Sequence, residues 1–287
     1  MNDKMKNLWV RSVSGAVLVV VVLGAILWSK WSFAALLMAI LIGGESEFYR
    51  MAQKAGYAPQ KGLGFVAGAI ILMVAFILMW LLDDSTTVSS QYLIIAVGLA
   101  LYIMMLIPVM FICELYRKSP TPIANIGSTL MGIVYVAMPL ALLFFIPLML
   151  GRGVWNPWAL IFYIFIIWAN DVCAYLVGMS IGKHRLFQRI SPKKSWEGFI
   201  GGLVGAMAMG YVASTFMEGT HAIWIGMALI AAITGVFGDL VESLLKRSVD
   251  VKDSGNILPG HGGWLDRFDA LLLSIPFVFI YLVFCID

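Results

Sequence analysis

The chain has 287 residues, 61% of them hydrophobic and only 12% charged. A soluble globular domain carries roughly 25% charged residues, so the shortfall excludes an ordinary soluble enzyme and points to a polytopic membrane protein. The formal charge of +3 gives no sign of a nucleic-acid partner, and none is expected.

A spanning helix needs about 20 mostly apolar residues. Nine segments qualify, at roughly 10–28, 31–49, 63–82, 92–112, 126–149, 157–182, 198–217, 222–245 and 266–286. The first is longer than a signal-peptide core of about 7–15 residues, and no A-x-A-like site follows it, so it is expected to be a retained span. Trp28, Lys30 and Trp31 form a tight polar-aromatic turn, and Asp83-Asp84 mark another. Pro108, Pro139, Pro147 and Pro276 lie inside apolar segments, where membrane helices tolerate the kinks they cause. Cys113, Cys173 and Cys285 also fall in apolar segments, with neither metal-ligand nor disulfide spacing, and read as small buried hydrophobes.

The expected fold is an all-α polytopic integral membrane protein with about nine transmembrane helices. When the connections are numbered alternately, seventeen of the nineteen Lys and Arg residues fall on one side, leaving only Lys30 and Arg152 on the other. The positive-inside rule then places the N-terminus in the cytoplasm and the C-terminus outside. A division near Ser119-Pro120-Thr121-Pro122 separates 1–120, with about four plain spans, from 121–287. The second part is expected to be catalytic, with cytoplasmic loops 183–198 and 246–266. No internal repeat is evident, which weighs against an inverted-repeat transporter.

Polar chemistry is concentrated in that second part. Asp171 lies about twelve residues, or ~18 Å of helix, before the nearest basic loop. A carboxylate at such depth is a functional-site candidate, although an interhelical hydrogen bond explains it too. The loop Ser191-Pro192-Lys193-Lys194-Ser195-Trp196-Glu197-Gly198 offers a compact cation pair. Lysines are point-charge ligands for phosphate, and equally anchors to anionic lipid. Asp239 and Glu242 share a helix face at i, i+3, and Glu242 can pair with Lys246 at i, i+4. Asp239 stands ~10 Å inside the helix end marked by Lys246 and Arg247. Next comes a glycine-rich loop, 254–263, able to bring backbone N–H groups up to an anion but matching neither a Walker A loop nor a dinucleotide fingerprint. Its His261 is a phosphate contact or a local hydrogen bonder. Asp266 and Asp269 again share a face. Acidic residues favour a helix N-terminus in any case, but with Asp239 they supply three carboxylates from two helices, the oxygen donors Mg²⁺ takes together with substrate phosphates.

Carboxylates, cations and a glycine loop form the inventory of metal-assisted phosphoryl or nucleotidyl transfer. A site that opens to the cytoplasm and reaches into the bilayer suits one water-soluble and one lipid substrate. The alternative from another class is a membrane transporter or channel with a cytoplasm-facing acidic ion site.

The stretch Ser243-x-Leu245-Lys246-Arg247, Lys252-Asp253-x-Gly255 and Leu258-Pro259-x-His261-Gly262-Gly263-Trp264-x-Asp266-Arg267-Phe268-Asp269 closely resembles the signature of the phosphatidate cytidylyltransferase, or CDP-diacylglycerol synthase, family. Ser191 to Gly198 and Gly238 to Ser243 also look like segments of that family. The resemblance covers about 165–270, and the N-terminal half matches only in its pattern of spans. Trp264 stands where an aliphatic residue is usual, a packing change that touches no catalytic position.

The resemblance implies CTP + phosphatidate → CDP-diacylglycerol + pyrophosphate, in phospholipid biosynthesis at a bacterial inner membrane. It implies catalytic roles for Asp239, Asp266, Lys246 and Arg267. Substrate contacts fall to Ser191, Lys193, Lys194, Arg247, Lys252 and His261. Mg²⁺ is placed on Asp239 and Asp266, with Asp269 and Asp171 as further candidates, and a second, monovalent cation is compatible with the carboxylate count. Small-residue faces such as Gly201-Gly202…Gly205 permit close packing within the chain or between two copies of a homodimer.

Overall fold

The computed structural model describes residues 3–83, 90–217, 219–255 and 262–285. Eight helical segments among them are long and apolar enough to cross a bilayer. Four are α2 (Lys30–Lys54), α3 (Lys61–Leu82), the apolar part of α4 (Ser90–Arg117), and a broken crossing over Pro122–Leu150. The other four are α8 (Pro157–Ile181), α9 (Trp196–Phe216), α10 (His221–Ser248) and α11 (Leu265–Cys285). In α1 (Asp3–Trp28) the apolar part, Ser12–Trp28, is shorter. The architecture is that of an α-helical integral membrane protein with eight to nine long apolar helices.

Local chemistry sets the helix ends. Ser29 and Ser32 form a reciprocal capping box at the start of α2, and Ser32 Oγ also reaches Ala25 O at 2.7 Å, which closes the tight α1–α2 turn. The broken crossing consists of α5 (Pro122–Gly132), a π-helical turn over Ile133–Ala137, α6 (Met138–Leu143) and α7 (Ile146–Leu150). Pro139 and Pro147 each sit in the first turn of a new segment, where a missing N–H costs least. Pro108 and Pro276 lie inside α4 and α11, which continue through them.

The only strands among the described residues are β1 (Arg185–Phe187) and β2 (Ser191–Ser195), an antiparallel hairpin pairing Arg185 with Ser195 and Phe187 with Ser191. Glu197 folds back over it, accepting hydrogen bonds from the Lys183 and His184 backbone N–H groups and pairing with His184 Nδ1 at 2.6 Å. The lysine-rich loop is thus part of a hydrogen-bonded hairpin.

The connections gather at two ends of the bundle. At one end Lys30 pairs with Asp83 and lies over the Trp80 ring, Asp83 accepts from Trp155 N, and Asn156 donates to Met217. At the other, Gln60 Nε2 and Asn125 Nδ2 both donate to the buried Glu114, and Ala58 N donates to Asn125 Oδ1. Glu47 near the end of α2 reaches the 249–264 connection there.

Gly201, Gly202 and Gly205 face Val177, Asn170 and Cys173 on α8, so this small-residue stripe serves a contact within the chain. Cys113 and Cys173 are only half-buried and Cys285 is exposed. The expectation of buried cysteines fails because spanning helices turn apolar residues outward as well as inward.

Candidate active site

The cleft is built where α8, the β-hairpin, α10 and α11 converge. Gly238 of α10 lies so close to α11 that an added Cβ would fall 2.5 Å from Asp269 O and 3.0 Å from Ala270 Cα. That approach sets the acidic face of α10 beside the first turn of α11. The resulting cleft has a volume of about 770 Å³.

The sequence-predicted carboxylates Asp171, Asp239, Asp266 and Asp269 all line it. So do the predicted cations Lys193, Lys194, Lys246, Arg247, Lys252 and Arg267. Ser191 lies at the outer end of β2 and does not. His261 lies outside the described residues, with the rest of 256–261.

The acids divide by what holds them. One oxygen each from Asp239, Glu242 and Asp269 come together within 4.8 Å. Asp239 pairs with Lys194 at 2.7 Å and accepts from Ser243 Oγ at 3.2 Å. Glu242 is fully buried, with Oε2 paired to Lys246 Nζ and Oε1 without a hydrogen-bond partner. Asp269 Oδ1 accepts from the Ala270 N–H. The Tyr135 hydroxyl, on the π-helical turn, is buried without a hydrogen-bond partner and within electrostatic range of all three. π-Helical turns often occur at functional sites. Three hard oxygen donors, one with a buried unbonded oxygen, fit a divalent cation.

Asp266 is held differently. Its Oδ1 takes Lys246 Nζ at 2.6 Å, and its Oδ2 faces Ser254 N, Ser254 Oγ and Gly263 N at 2.8–2.9 Å. It therefore ties both ends of the glycine-rich connection to the cleft. Behind it is Glu47, 0% exposed, whose Oε1 accepts from Trp264 N at 3.0 Å. Its Oε2 accepts from Leu265 N at 3.0 Å and lies 2.7 Å from Ser254 Oγ. A carboxylate from α2 thus caps the N-terminus of α11. Trp264 stacks on Phe268 at 6.2 Å and covers Gly43, so its departure from the usual residue is one of packing.

Sequence reasoning gave no site role to Glu47, Tyr135 or Arg185. Glu242 was noticed only as a helix-face partner. The i, i+3 and i, i+4 spacings were the available signal for Glu242. Glu47 stands inside the second apolar segment, where a carboxylate was itself the available signal, whereas Tyr135 carries no charge to mark it.

The fold and cleft define a class: an integral membrane protein with a pocket lined by acids, lysines and arginines at one end of its helix bundle. The sequence profile of the cytidylyltransferase family matches residues 9–285, and the chain belongs to that family. The match takes in the N-terminal half, beyond the 165–270 stretch that carried the resemblance. The chain is similar to the phosphatidate cytidylyltransferases of Staphylococcus aureus (strain COL), 48% identical over 120 residues, and Bacillus subtilis (strain 168), 49% identical over 120 residues. Each of those alignments spans 41% of this chain and less than half of the relative, 46% and 44%. The phosphatidate cytidylyltransferase of Rickettsia bellii (strain RML369-C) is 29% identical over 286 residues, 96% of this chain and 92% of the relative. None of these matches supports the transporter alternative.

Proposed function

We propose that the protein transfers the cytidylyl group of CTP to phosphatidate, giving CDP-diacylglycerol and pyrophosphate. The observation that carries this reading is the single cleft in which a carboxylate cluster faces a surround of lysines and arginines. Two polyanions must meet there, and their mutual repulsion is the main obstacle. An oxygen of the lipid phosphate, ionised at neutral pH and needing no general base, attacks the α-phosphorus of CTP. The bond from that phosphorus to the bridging oxygen breaks, and pyrophosphate leaves with its electron pair.

Lys193, Lys194, Arg247 and Lys252 bind and orient the triphosphate and meet the charge that develops on the leaving group. Arg267 holds the lipid phosphate. Asp239, Glu242 and Asp269 are the residues that would hold Mg²⁺, which supplies charge neutralisation between the two substrates. Asp171 remains a candidate for a further cation. Asp266 and Lys246 keep the α10 and α11 faces in register.

The protein sits in a bacterial cytoplasmic membrane in this reading. It crosses nine times, with the N-terminus in the cytoplasm, the C-terminus outside and the cleft open to the cytoplasm. Residues 121–287 form the catalytic region, and 1–120 contributes Glu47 as a support. The charge-rich bundle end supports that orientation, because the connections gathered there carry most of the basic residues.

Purified protein given CTP, phosphatidate and Mg²⁺ is expected to release one pyrophosphate per CDP-diacylglycerol formed. A folded protein that binds CTP and releases none overturns the proposal.

A further inference from the structure

A second cavity, of about 320 Å³, lies against the first. Asp171, Asp266, Arg267, Asp269 and Ala270 are in the walls of both. Every residue that lines the second cavity alone is apolar. One wall is a single face of α1, where Gly15, Leu18, Val22 and Ile26 recur at steps of three and four. Phe33 of α2 and Ile167 of α8 stand among the facing residues. From Gly15 to Ile26 the wall runs ~16 Å along the helix. The other face of α1, with Val17, Val20 and Val21, is exposed.

Such a space is amphiphile-shaped: charge at one end, hydrocarbon along the rest. Away from the charged end, its apolar walls give water no hydrogen-bonding partners. Its volume is at the small end of the ~300–1,000 Å³ typical of ligand sites, room for one hydrocarbon chain. Arg267 is the cation shared by both cavities.

We infer that this chamber takes one acyl chain of the lipid substrate, entering beside α1, while the lipid phosphate rests at Arg267 and the second chain stays in the bilayer. The inference rests on the cytidyl-transfer reading for the identity of the lipid. It gives α1 a function as the outer wall of a substrate site.

The test has two arms. In the first, phosphatidate with a diazirine midway along one chain is photolysed with wild-type protein in liposomes, without nucleotide. Label is expected on the Gly15–Ile26 face of α1 and on α8, displaced by unlabelled long-chain phosphatidate. Label spread over the outward faces of all helices overturns the inference. In the second, Leu18→Trp and the milder Gly15→Leu are assayed with long-chain and short-chain phosphatidate. The ratio of kcat/KM for long over short chains is expected to fall about tenfold, equivalent to roughly 1.4 kcal/mol. This ratio does not depend on the fraction of protein that folds, and an unchanged ratio sinks the inference. If wild type turns over no phosphatidate at all, the activity reading fails, and the labelling arm still decides whether the chamber holds a chain.

Discussion

Asp239, Glu242 and Asp269 bring one oxygen each within 4.8 Å of one another, and Asp266 stands outside that group. Asp266 spends both oxygens on Lys246, Ser254 and Gly263, whereas Glu242 Oε1 receives no hydrogen bond. Asp239→Asn and Asp269→Asn are therefore expected to lower turnover about 10²-fold or more, the effect of losing ~2.7 kcal/mol of transition-state stabilisation. Both should also raise the Mg²⁺ concentration needed for half-maximal rate. Asp266→Asn is expected to lower the rate without moving that Mg²⁺ requirement. A Mg²⁺ titration that shifts for Asp266→Asn alone contradicts this division. Glu47 makes a separate case. Glu47→Gln places an amide NH₂ against backbone N–H donors at the start of α11, at a cost of about 1–3 kcal/mol for the buried mismatch. Limited proteolysis should then cut within 249–264 faster than in wild type, before the helices are attacked. Equal cutting rates would show that the connection does not depend on Glu47. Asp239, Asp266 and Asp269 could be read from the sequence because i, i+3 spacing puts them on acidic helix faces, and Asp171 from its depth in a span. The contact of Glu47 with Ser254, 207 residues away in the chain, could not.

At the scale of elements, the approach of α10 to α11 depends on one position. A Cβ at Gly238 meets backbone atoms of Asp269 and Ala270, which cannot rotate away as a side chain could. Gly238→Ala is expected to push the two helices apart, with an overpacking cost of about 1–3 kcal/mol. The carboxylate cluster spans that interface, so activity should fall further than stability. Gly98→Ala, on α4 with nothing within 4 Å of the added carbon, is the control and is expected to leave both unchanged. Thermal unfolding and pyrophosphate release measured on the same preparations decide it. Pyrophosphate release at the wild-type rate from Gly238→Ala would remove the helix approach from the account of the site. The helices themselves were legible, because runs of about 20 apolar residues have few alternatives in a bilayer. The β-hairpin at 185–195 was not: Ser-Pro-Lys-Lys-Ser has no apolar alternation, and its strands are held by Glu197 and by the start of α9. The broken fifth crossing was half legible. Pro139 and Pro147 marked where it bends, while nothing in the sequence marks the π-helical turn that carries Tyr135.

For the whole molecule, one geometric regularity connects sequence and site. The turn at Ser29, Asp83 and the 151–156 connection share one end of the bundle, while the Gln60, Asn125 and Ser254 contacts lie at the other. Alternation of the connections along the chain requires this sorting, and the lysines and arginines follow it, with Lys30 and Arg152 alone on the first end. In the proposed orientation, anionic lipid on the cytoplasmic leaflet would attract the basic end, at about 1 kcal/mol per residue near the surface. The sum over that end would then outweigh the effect of any one residue. Single cysteines at 118 and 152, introduced after Cys113, Cys173 and Cys285 are replaced by alanine, report the two ends. An impermeant maleimide added to intact cells is expected to label Arg152→Cys and to spare Lys118→Cys until the membrane is opened. Labelling of both from outside would place an even number of crossings between them and remove the broken Pro122–Leu150 segment from the count of spans. Labelling of Lys118→Cys alone would invert the protein and turn the cleft away from the cytosolic nucleotide pool, which is incompatible with CTP as its substrate.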